Sequence, residues 1–209
     1  MGHREDLLVG AKRCLAERGY ARTTARDIVA ASGTNLASIG YHYGSKEDLL
    51  NKALMEAISE SGEELIQAVA SDDDPDTSPL ERFELIWTRV IGNFDMHRQV
   101  WAASFEAFAQ VDHVPVVKQA LADGIEQGRT GIVSVFKDVG MFKDITDELT
   151  DPEQIRALGS FYQALLMGVM AQLMVDPERA PSGSDLAQAL RVLLMSMRAD
   201  LPAEASSQS

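Results

Sequence analysis

The residues of this chain whose chemistry best suits the binding of another molecule lie between positions 24 and 46. Thr24, Tyr41 and His42 carry groups that can donate hydrogen bonds to phosphate oxygens, and Lys46 adds a positive charge. Asn35 carries an amide that can pair with the edge of a base. Small or apolar residues suited to contact base edges and thymine methyl groups lie between them: Leu36, Ala37, Ser38 and Gly40. The set predicts an interface for double-stranded DNA.

Two short predicted helices position these residues. Thr24 can cap the first helix together with Asp27, and Gly33 can end it. The second helix is predicted from about Asn35 to Tyr41. Two short helices joined by a tight turn that contains glycine form the unit that places one helix in a major groove of DNA. Two residues are expected to point into the core behind it: Ile39 and Tyr43.

Each of these residues also has a purely structural interpretation, which the sequence leaves open. Thr24 can serve only as a helix cap, His42 can be an ordinary exposed histidine, and Lys46 can be a solvated lysine. Arg22 and Arg26 can likewise be solvated charges. The expectation of DNA contact therefore rests on the segment as a whole.

The distribution of charge separates the N-terminal segment from the rest of the chain, whose total net charge is −13. Residues 1–52 contain eight Lys and Arg against six Asp and Glu, a net charge of +2. The remaining residues carry eleven basic and 26 acidic side chains, a net charge of −15. DNA would repel the acidic remainder, the body, and attract the weakly basic residues 1–52, the head. Acidic residues also simply keep a helical surface soluble.

Apolar residues at helical spacing predict about nine helices and no β-strand, which indicates the all-α class. Ser78, Pro79 and Glu81 together mark the beginning of one helix, and Asp151 and Pro152 mark another. Two segments are predicted outside helices, an acidic loop over 71–79 and a disordered tail over 201–209.

Several further features follow from local patterns. A helix is predicted from about Arg98 to Ala109, and Ser184 is expected to open the last helix. Cys14, the single cysteine, lies on an apolar helical stripe and is expected to be buried, and one cysteine excludes an intramolecular disulfide. No apolar run approaches the ~20 residues that span a bilayer, so we expect a cytoplasmic protein that contacts no membrane.

The sequence TTARDIVAASGTNLASIGYHYGSKEDLL, which begins at Thr23, resembles the N-terminal DNA-binding domain of the TetR family of bacterial transcriptional repressors. The resemblance covers about the first fifty residues. Gly40 departs from it, since many members carry a second aromatic residue before Tyr41, and Val29 replaces a small alanine. Glycine inside a helix costs about 1 kcal/mol relative to alanine. Gly40 therefore either loosens the recognition helix or lets its backbone approach DNA closely.

The resemblance implies a three-helix helix-turn-helix domain over residues 1–48 and a helical ligand-binding and dimerisation domain over 49–200. It implies a homodimer whose two copies bind the halves of a pseudo-palindromic operator. The last two predicted helices are the expected interface, because their wide apolar surface and small residues need a partner; packing within one chain is the alternative. The expected interface residues are Phe161, Leu165, Gly168, Leu190 and Leu194.

The resemblance also implies a site for a small-molecule effector in the body, where aromatic residues concentrate between positions 83 and 113. A mostly apolar lining suggests a lipophilic effector. Plain core packing is the alternative for each of these residues. The expected effector-binding residues are Trp87, Phe94, His97, Trp101, Phe105, Glu106 and Phe108.

The common enzyme motifs and the spacings typical of metal sites are missing from the sequence. We therefore expect no catalytic residue, no metal and no cofactor. The expected function is that of a ligand-responsive transcriptional regulator, most simply a repressor. The alternative is a helical sensor or protein-binding module whose head no longer binds DNA, which Gly40 and the acidic total would favour.

Overall fold

A computed structural model describes residues 2–69, 77–138, 140–142, 145 and 148–200 of the chain. Within these ranges the chain forms nine α-helices and no β-strand, which confirms the all-α class. The helices are α1 (His3–Arg18), α2 (Ala25–Ser32), α3 (Leu36–Tyr43), α4 (Lys46–Val69), α5 (Pro79–Gly92), α6 (Phe94–Phe108), α7 (Pro115–Asp138), α8 (Pro152–Val175) and α9 (Gly183–Asp200). The predicted tail lies outside the described residues, as does the predicted acidic loop apart from residues 77–79.

Most helix starts follow the local signals in the sequence. The Ser78 hydroxyl accepts a hydrogen bond from the Glu81 amide at 3.4 Å, and the Glu81 carboxylate accepts one from the Ser78 amide at 3.0 Å. The Asp151 carboxylate accepts a hydrogen bond from the Glu153 amide at 2.9 Å at the start of α8. These bonds satisfy amides that a helix start leaves without an internal acceptor, so the signal depends only on neighbouring residues.

The start of α6 differs from the prediction. The helix begins at Phe94 rather than near Arg98, because Asn93 alone separates it from α5. Asn93 (φ −91°, ψ 2°) ends one helix and begins the next. Its side-chain amide donates a hydrogen bond to the Arg89 carbonyl at 2.9 Å. One residue therefore turns the chain where the sequence suggested a longer connection.

The start of α9 also differs, because its cap is Ser182 and not Ser184. The Ser182 hydroxyl accepts a hydrogen bond from the Asp185 amide at 3.2 Å, and the Asp185 carboxylate accepts one from the Ser182 amide at 2.9 Å. This reciprocal pair needs an acidic residue three positions after the serine, which Ser182 has.

The N-terminal core extends well beyond the first three helices. Ile28 of α2 and Ile39 of α3 lie in one buried cluster with Ala107 of α6 and Val117 of α7. Cys14 belongs to the same cluster and is only 2% exposed, as expected for a buried small residue. The head is therefore packed directly against two helices of the body.

The body core is built around aromatic side chains. The Trp87 ring is fully buried and its centroid lies 6.2 Å from that of Phe136, which in turn lies 4.8 Å from that of Tyr162. Burial raises the pKa of the Tyr162 hydroxyl to about 12, so this group stays neutral at physiological pH. These contacts join α5, α7 and α8, and Ala187 of α9 is buried in the same cluster.

By length and composition alone, α8 could cross a membrane, contrary to the expectation that no segment could. Its mean hydropathy is 1.4 over the most apolar window. Val169 and Met170 of this helix are buried in the body core, although only 28% of its apolar window is buried, and a single helix of this kind also occurs in soluble proteins. The property is therefore weak evidence for a membrane.

The packing of α7 against α8 requires glycine at one contact. Gly159 of α8 is buried, and a Cβ atom added to it would overlap the Arg129 carbonyl oxygen of α7. This oxygen belongs to a helix backbone, so it cannot move away unless α7 shifts. The low helix propensity of glycine is tolerated here because no larger residue allows the same approach.

Gly159→Ala should lower the free energy of unfolding by about 2 kcal/mol, because the overlap costs more than the gain in helix propensity. The matched control is Gly131→Ala in α7, where an added Cβ meets nothing within 4 Å. This control should gain roughly 0.5–1 kcal/mol. Urea unfolding of both variants tests the contact, and a Gly159→Ala protein as stable as the parent would contradict it.

Candidate nucleic-acid interface

One side of α3 is held against the N-terminal core. Ile39 is 4% exposed within this core, and the Tyr43 hydroxyl donates a hydrogen bond to the Arg4 carbonyl of α1 at 2.7 Å. Two glycines with positive φ bound the helix, Gly33 (67°) at the end of α2 and Gly44 (87°) at the end of α3. The predicted inward orientation of Ile39 and Tyr43 is confirmed.

The opposite side of α3 faces solvent. Its exposed residues are Leu36, Ala37, Gly40 and Tyr41. The exposed fraction is 52% for Leu36 and 85% for Tyr41, which are large values for such apolar side chains. The half-buried His42 ring stands edge-on to the Tyr41 ring, with centroids 4.8 Å apart. The structure therefore brings four of the nine predicted DNA-contacting residues onto the exposed side of one short helix.

Thr24 makes its hydrogen bonds within the head. Its hydroxyl donates to the Asp27 carboxylate at 2.6 Å, its amide donates to the same oxygen at 2.9 Å, and the Asp27 amide donates to the hydroxyl at 3.2 Å. The hydroxyl hydrogen bond, followed by that of the amide, holds the pKa of the Asp27 carboxyl below its usual value. The capping role is therefore present, and a phosphate would have to bind the first-turn amides of α2.

Asn35 is the cap of α3 rather than one of its helical residues. Its side-chain carbonyl oxygen accepts a hydrogen bond from the Ser38 amide at 3.1 Å. The two-bond contact of an Asn side chain with adenine needs that same oxygen. The predicted base contact by Asn35 would therefore compete with the helix cap.

Lys46 lies at the first residue of α4, beside the turn that precedes α2. Its ammonium donates a hydrogen bond to the Thr23 carbonyl at 3.3 Å and lies 3.2 Å from the Glu47 carboxylate. Its side chain is 30% exposed. Ion pairs at such positions contribute about 0–1 kcal/mol, so a DNA phosphate can replace Glu47 as the partner.

The predicted effector-binding residues do not form one cluster. Trp87 and Phe94 are buried in the body core, and Trp101 and Phe105 pack against it. Phe108 packs against the N-terminal core instead. A shallow cleft of about 370 Å³ between α4 and α7 contains none of these residues in its lining.

The two predicted polar anchors of the effector contact different parts of the chain. The Glu106 carboxylate accepts a hydrogen bond from the Ala21 amide at 3.0 Å and lies directly beside Gly19. The Nδ1 atom of His97 lies 3.8 Å from the Glu64 carboxylate. Glu106 therefore connects α6 to the turn between α1 and α2, a role that the sequence does not reveal.

A buried chain of hydrogen bonds connects the head to the body, and the sequence did not predict it. The Tyr20 hydroxyl donates to the Asn51 side-chain oxygen at 2.6 Å, and the Asn51 amide donates to the Val116 carbonyl at 3.4 Å. Burial raises the pKa of Tyr20, so its hydroxyl remains a donor. The sequence signal for this chain of hydrogen bonds was Asn51 itself, a polar residue beside the apolar stripe of α4.

The predicted dimer residues occupy two kinds of environment. Phe161 and Leu194 are about half exposed, and Gly168 is exposed with nothing within 4 Å of an added Cβ. Leu165 and Leu190 pack partly against the body core. Other large apolar residues of these two helices are also exposed: Val175, Val192, Leu193, Met195 and Met197.

Acidic and histidine side chains do not assemble into a metal site in the part of the chain that the structure describes. No group of three His, Cys, Asp or Glu residues in this part could hold a metal ion. The geometry thus concentrates the candidate binding groups on α3 and at the starts of α2 and α4.

Comparison with known proteins relates the head to a family of regulators. The family model of bacterial regulatory proteins of the tetR family matches residues 7–53. The HTH-type transcriptional repressor AcnR of Corynebacterium glutamicum is 36% identical over 66 residues, which are 28% of this chain and 35% of that protein. The chain thus matches about a third of the length of this relative.

Two further similarities cover most of the chain. The HTH-type transcriptional regulator PksA of Bacillus subtilis is 25% identical over 179 residues, which are 84% of this chain and 80% of that protein. The structure of the multidrug binding protein EbrR, complexed with imidazole, has a TM-score of 0.61 and 20% identity, and the match covers 99% of this chain and 98% of that one. This structural similarity shows the same fold.

The segment matched by the family model contains α2, α3 and the start of α4, which are the elements that position the candidate DNA-contacting residues. The named relatives are transcriptional regulators, which are not enzymes. Residues 7–53 thus match the tetR family of bacterial regulatory proteins, and the fold of the whole chain is shared with solved structures such as that of EbrR.

Proposed function

We propose that this protein is a cytoplasmic DNA-binding transcriptional regulator, a repressor that binds a pseudo-palindromic operator as a homodimer and leaves it when a small lipophilic effector binds. The observation that carries the proposal is the outward side of α3, where Leu36 and Tyr41 are exposed while Ile39 anchors the helix. An exposed helix of this kind behind a tight turn is suited to enter a major groove.

The charge distribution supports an approach to DNA head first. The first 52 residues have a net charge of +2 and the remainder of −15. Phosphates attract the former and repel the latter, so the field of the molecule favours the orientation in which α3 meets the duplex.

The exposed apolar surface on α8 and α9 supports a homodimer. Phe161 and Leu194 belong to a set of large side chains that one chain leaves in water. Two identical copies of this surface can cover each other in a two-fold arrangement. Such a dimer would present two copies of α3 to the two halves of an operator.

One buried hydrogen-bond donor of the body core supports the proposal of a small-molecule site. The Trp87 indole nitrogen is buried and has no hydrogen-bond partner among the described residues. A buried donor without an acceptor costs about 1–3 kcal/mol, which an effector with a hydrogen-bond acceptor would recover. The similarity in fold to EbrR, named as a multidrug binding protein, is consistent with a lipophilic effector.

Helix α6 is the element suited to carry a signal from the effector to the head. Phe94 and Phe105 belong to or contact the body core, while Glu106 is bound to the Ala21 amide of the head. An effector that binds better to one position of α6 would therefore move the head as well. Changing the separation of the two heads would prevent simultaneous contact with both half-sites.

Selection of genomic DNA fragments by the purified protein tests the proposed function. Binding should weaken steeply as salt rises, because bound Lys and Arg release counterions from DNA. Lys46→Ala should weaken binding to all sequences alike, since phosphate contacts carry no sequence information. It should also reduce the salt slope, which is the slope of log K against log salt concentration, by about 1 for each Lys46 removed.

The matched control is Lys52→Ala, which removes an equal charge from the cleft between α4 and α7. It should leave the salt slope unchanged. If no duplex binds even at low salt, the alternative of a sensor or protein-binding module without DNA affinity is favoured.

Leu194→Glu should convert the dimer to monomers, because a charge would be buried in the centre of the proposed interface. Sedimentation measures the change in mass. Val9→Glu is the matched control, since Val9 is similarly exposed but lies on α1. A Leu194→Glu protein that still sediments as a dimer would place the interface elsewhere.

Glu106→Ala should loosen the contact between α6 and the head, because the Ala21 amide loses its acceptor. The loss of one exposed hydrogen bond is worth about 1 kcal/mol, or about fivefold in the exchange rate of that amide. Hydrogen exchange read by NMR measures this rate. Glu106→Gln keeps an acceptor oxygen and should stay close to the parent; equal exchange in all three proteins would argue against the connection.

A further inference from the structure

The exposed side of α3 differs from most base-reading surfaces in its lack of hydrogen-bonding groups. Of its four exposed residues, only Tyr41 carries a polar side-chain atom; the others are Leu36, Ala37 and Gly40. We propose that α3 recognises its half-site mainly through the methyl groups of thymines, with Leu36 and Ala37 as the residues that determine specificity. This inference rests on the proposed DNA-binding function and adds the chemistry that the helix reads.

The side chains that read bases by paired hydrogen bonds are missing from this helix. Arg and Lys read guanine, and Asn and Gln read adenine, but residues 36–43 contain none of the four. The nearest candidate, Asn35, uses its side-chain oxygen to accept the Ser38 amide at 3.1 Å. Breaking this cap to contact adenine would remove the side-chain acceptor from the start of α3.

The remaining polar groups of α3 are less accessible than its apolar groups. Ser38 and His42 are half-buried, whereas Leu36 is 52% exposed. Leu36 and Gly40 are one helical turn apart and therefore lie side by side, as do Ala37 and Tyr41. The surface that meets DNA thus consists of a leucine, an alanine and the ring of Tyr41 around the open space at Gly40.

The open space at Gly40 allows α3 to lie deep in a groove. A Cβ atom added to Gly40 would meet no protein atom within 4 Å. The absence of a side chain there brings the helix backbone and the neighbouring Leu36 closer to the base edges. Close approach matters because an apolar contact acts only over van der Waals distance.

Thymine is the base to which such an apolar surface binds best. In the major groove the C5-methyl group of thymine is the apolar feature among the donors and acceptors that base pairs present. Leu36 and Ala37 gain affinity by removing this methyl group and themselves from water. Opposite a polar base edge they would instead leave donors or acceptors without partners, which lowers affinity for other sequences.

Replacing single thymines of the selected duplex by deoxyuridine tests the inference, since uracil lacks only the methyl group and keeps the same pairing. At the positions that face α3, each replacement should weaken binding about fourfold, as expected for one buried methyl-sized group. Replacement in both half-sites should give roughly fifteenfold by the same reasoning. The salt slope should not change, because the phosphate contacts are untouched.

A protein variant connects the effect to Leu36. Leu36→Ala should bind the thymine duplex several-fold more weakly and should lose the sensitivity to uracil at the position that Leu36 contacts. Met96→Ala is the matched control, since Met96 is 72% exposed on α6 and should keep the full sensitivity. Thermal unfolding verifies that both variants remain folded, as expected for substitutions of exposed side chains.

The outcomes separate this inference from the proposed function. If no duplex is selected at any salt concentration, both are overturned. If a duplex is selected but deoxyuridine is harmless at every position, or its half-sites lack thymine, the protein binds DNA and only the methyl-based recognition is overturned. Sensitivity to uracil that persists in Leu36→Ala would remove Leu36 from the reading surface.

Discussion

Ile39 is the one residue of α3 that is fully buried, and its position determines how that helix is rotated about its axis. With Ile39 in the N-terminal core and Tyr43 bound to the Arg4 carbonyl, the residues on the other side must face solvent. Rotation of α3 by a quarter turn in either direction would move Ile39 out of this core. The burial of a single branched side chain thus selects which residues can reach another molecule.

The same core makes the head dependent on the body. Ala107 of α6 and Val117 of α7 are fully buried against the head, and the Tyr20 hydroxyl reaches the Val116 carbonyl through Asn51. Packed interfaces of this kind shift between discrete arrangements instead of deforming smoothly. A change in the position of α6 or α7 therefore has to be accommodated by the head, which in the proposed function is the physical basis for control by an effector.

Sequence reasoning succeeded where the determining residues are neighbours. The capping pair of Thr24 and Asp27 and the start signal at Ser78 involve residues three positions apart, and both occur in the structure. It failed where contacts span the chain: Glu106 binds an amide 85 positions away, and no local pattern indicates such a partner. For Asn35 the sequence predicted a base contact, and the hydrogen bond from the Ser38 amide that makes it a helix cap is visible only in three dimensions.

The head carries only a weak positive charge, so in the proposed function apolar surfaces supply much of the affinity and selectivity for DNA. Most of its cations are already engaged, as in the pairs of Lys12 with Glu60 and Arg18 with Asp27. A head that attracts phosphates so modestly gains limited affinity from electrostatics. In the proposed function, joining two heads through α8 and α9 compensates for this limited affinity, because the second head then binds at a high effective concentration. Apolar contacts by α3 would supply selectivity that the few charges cannot.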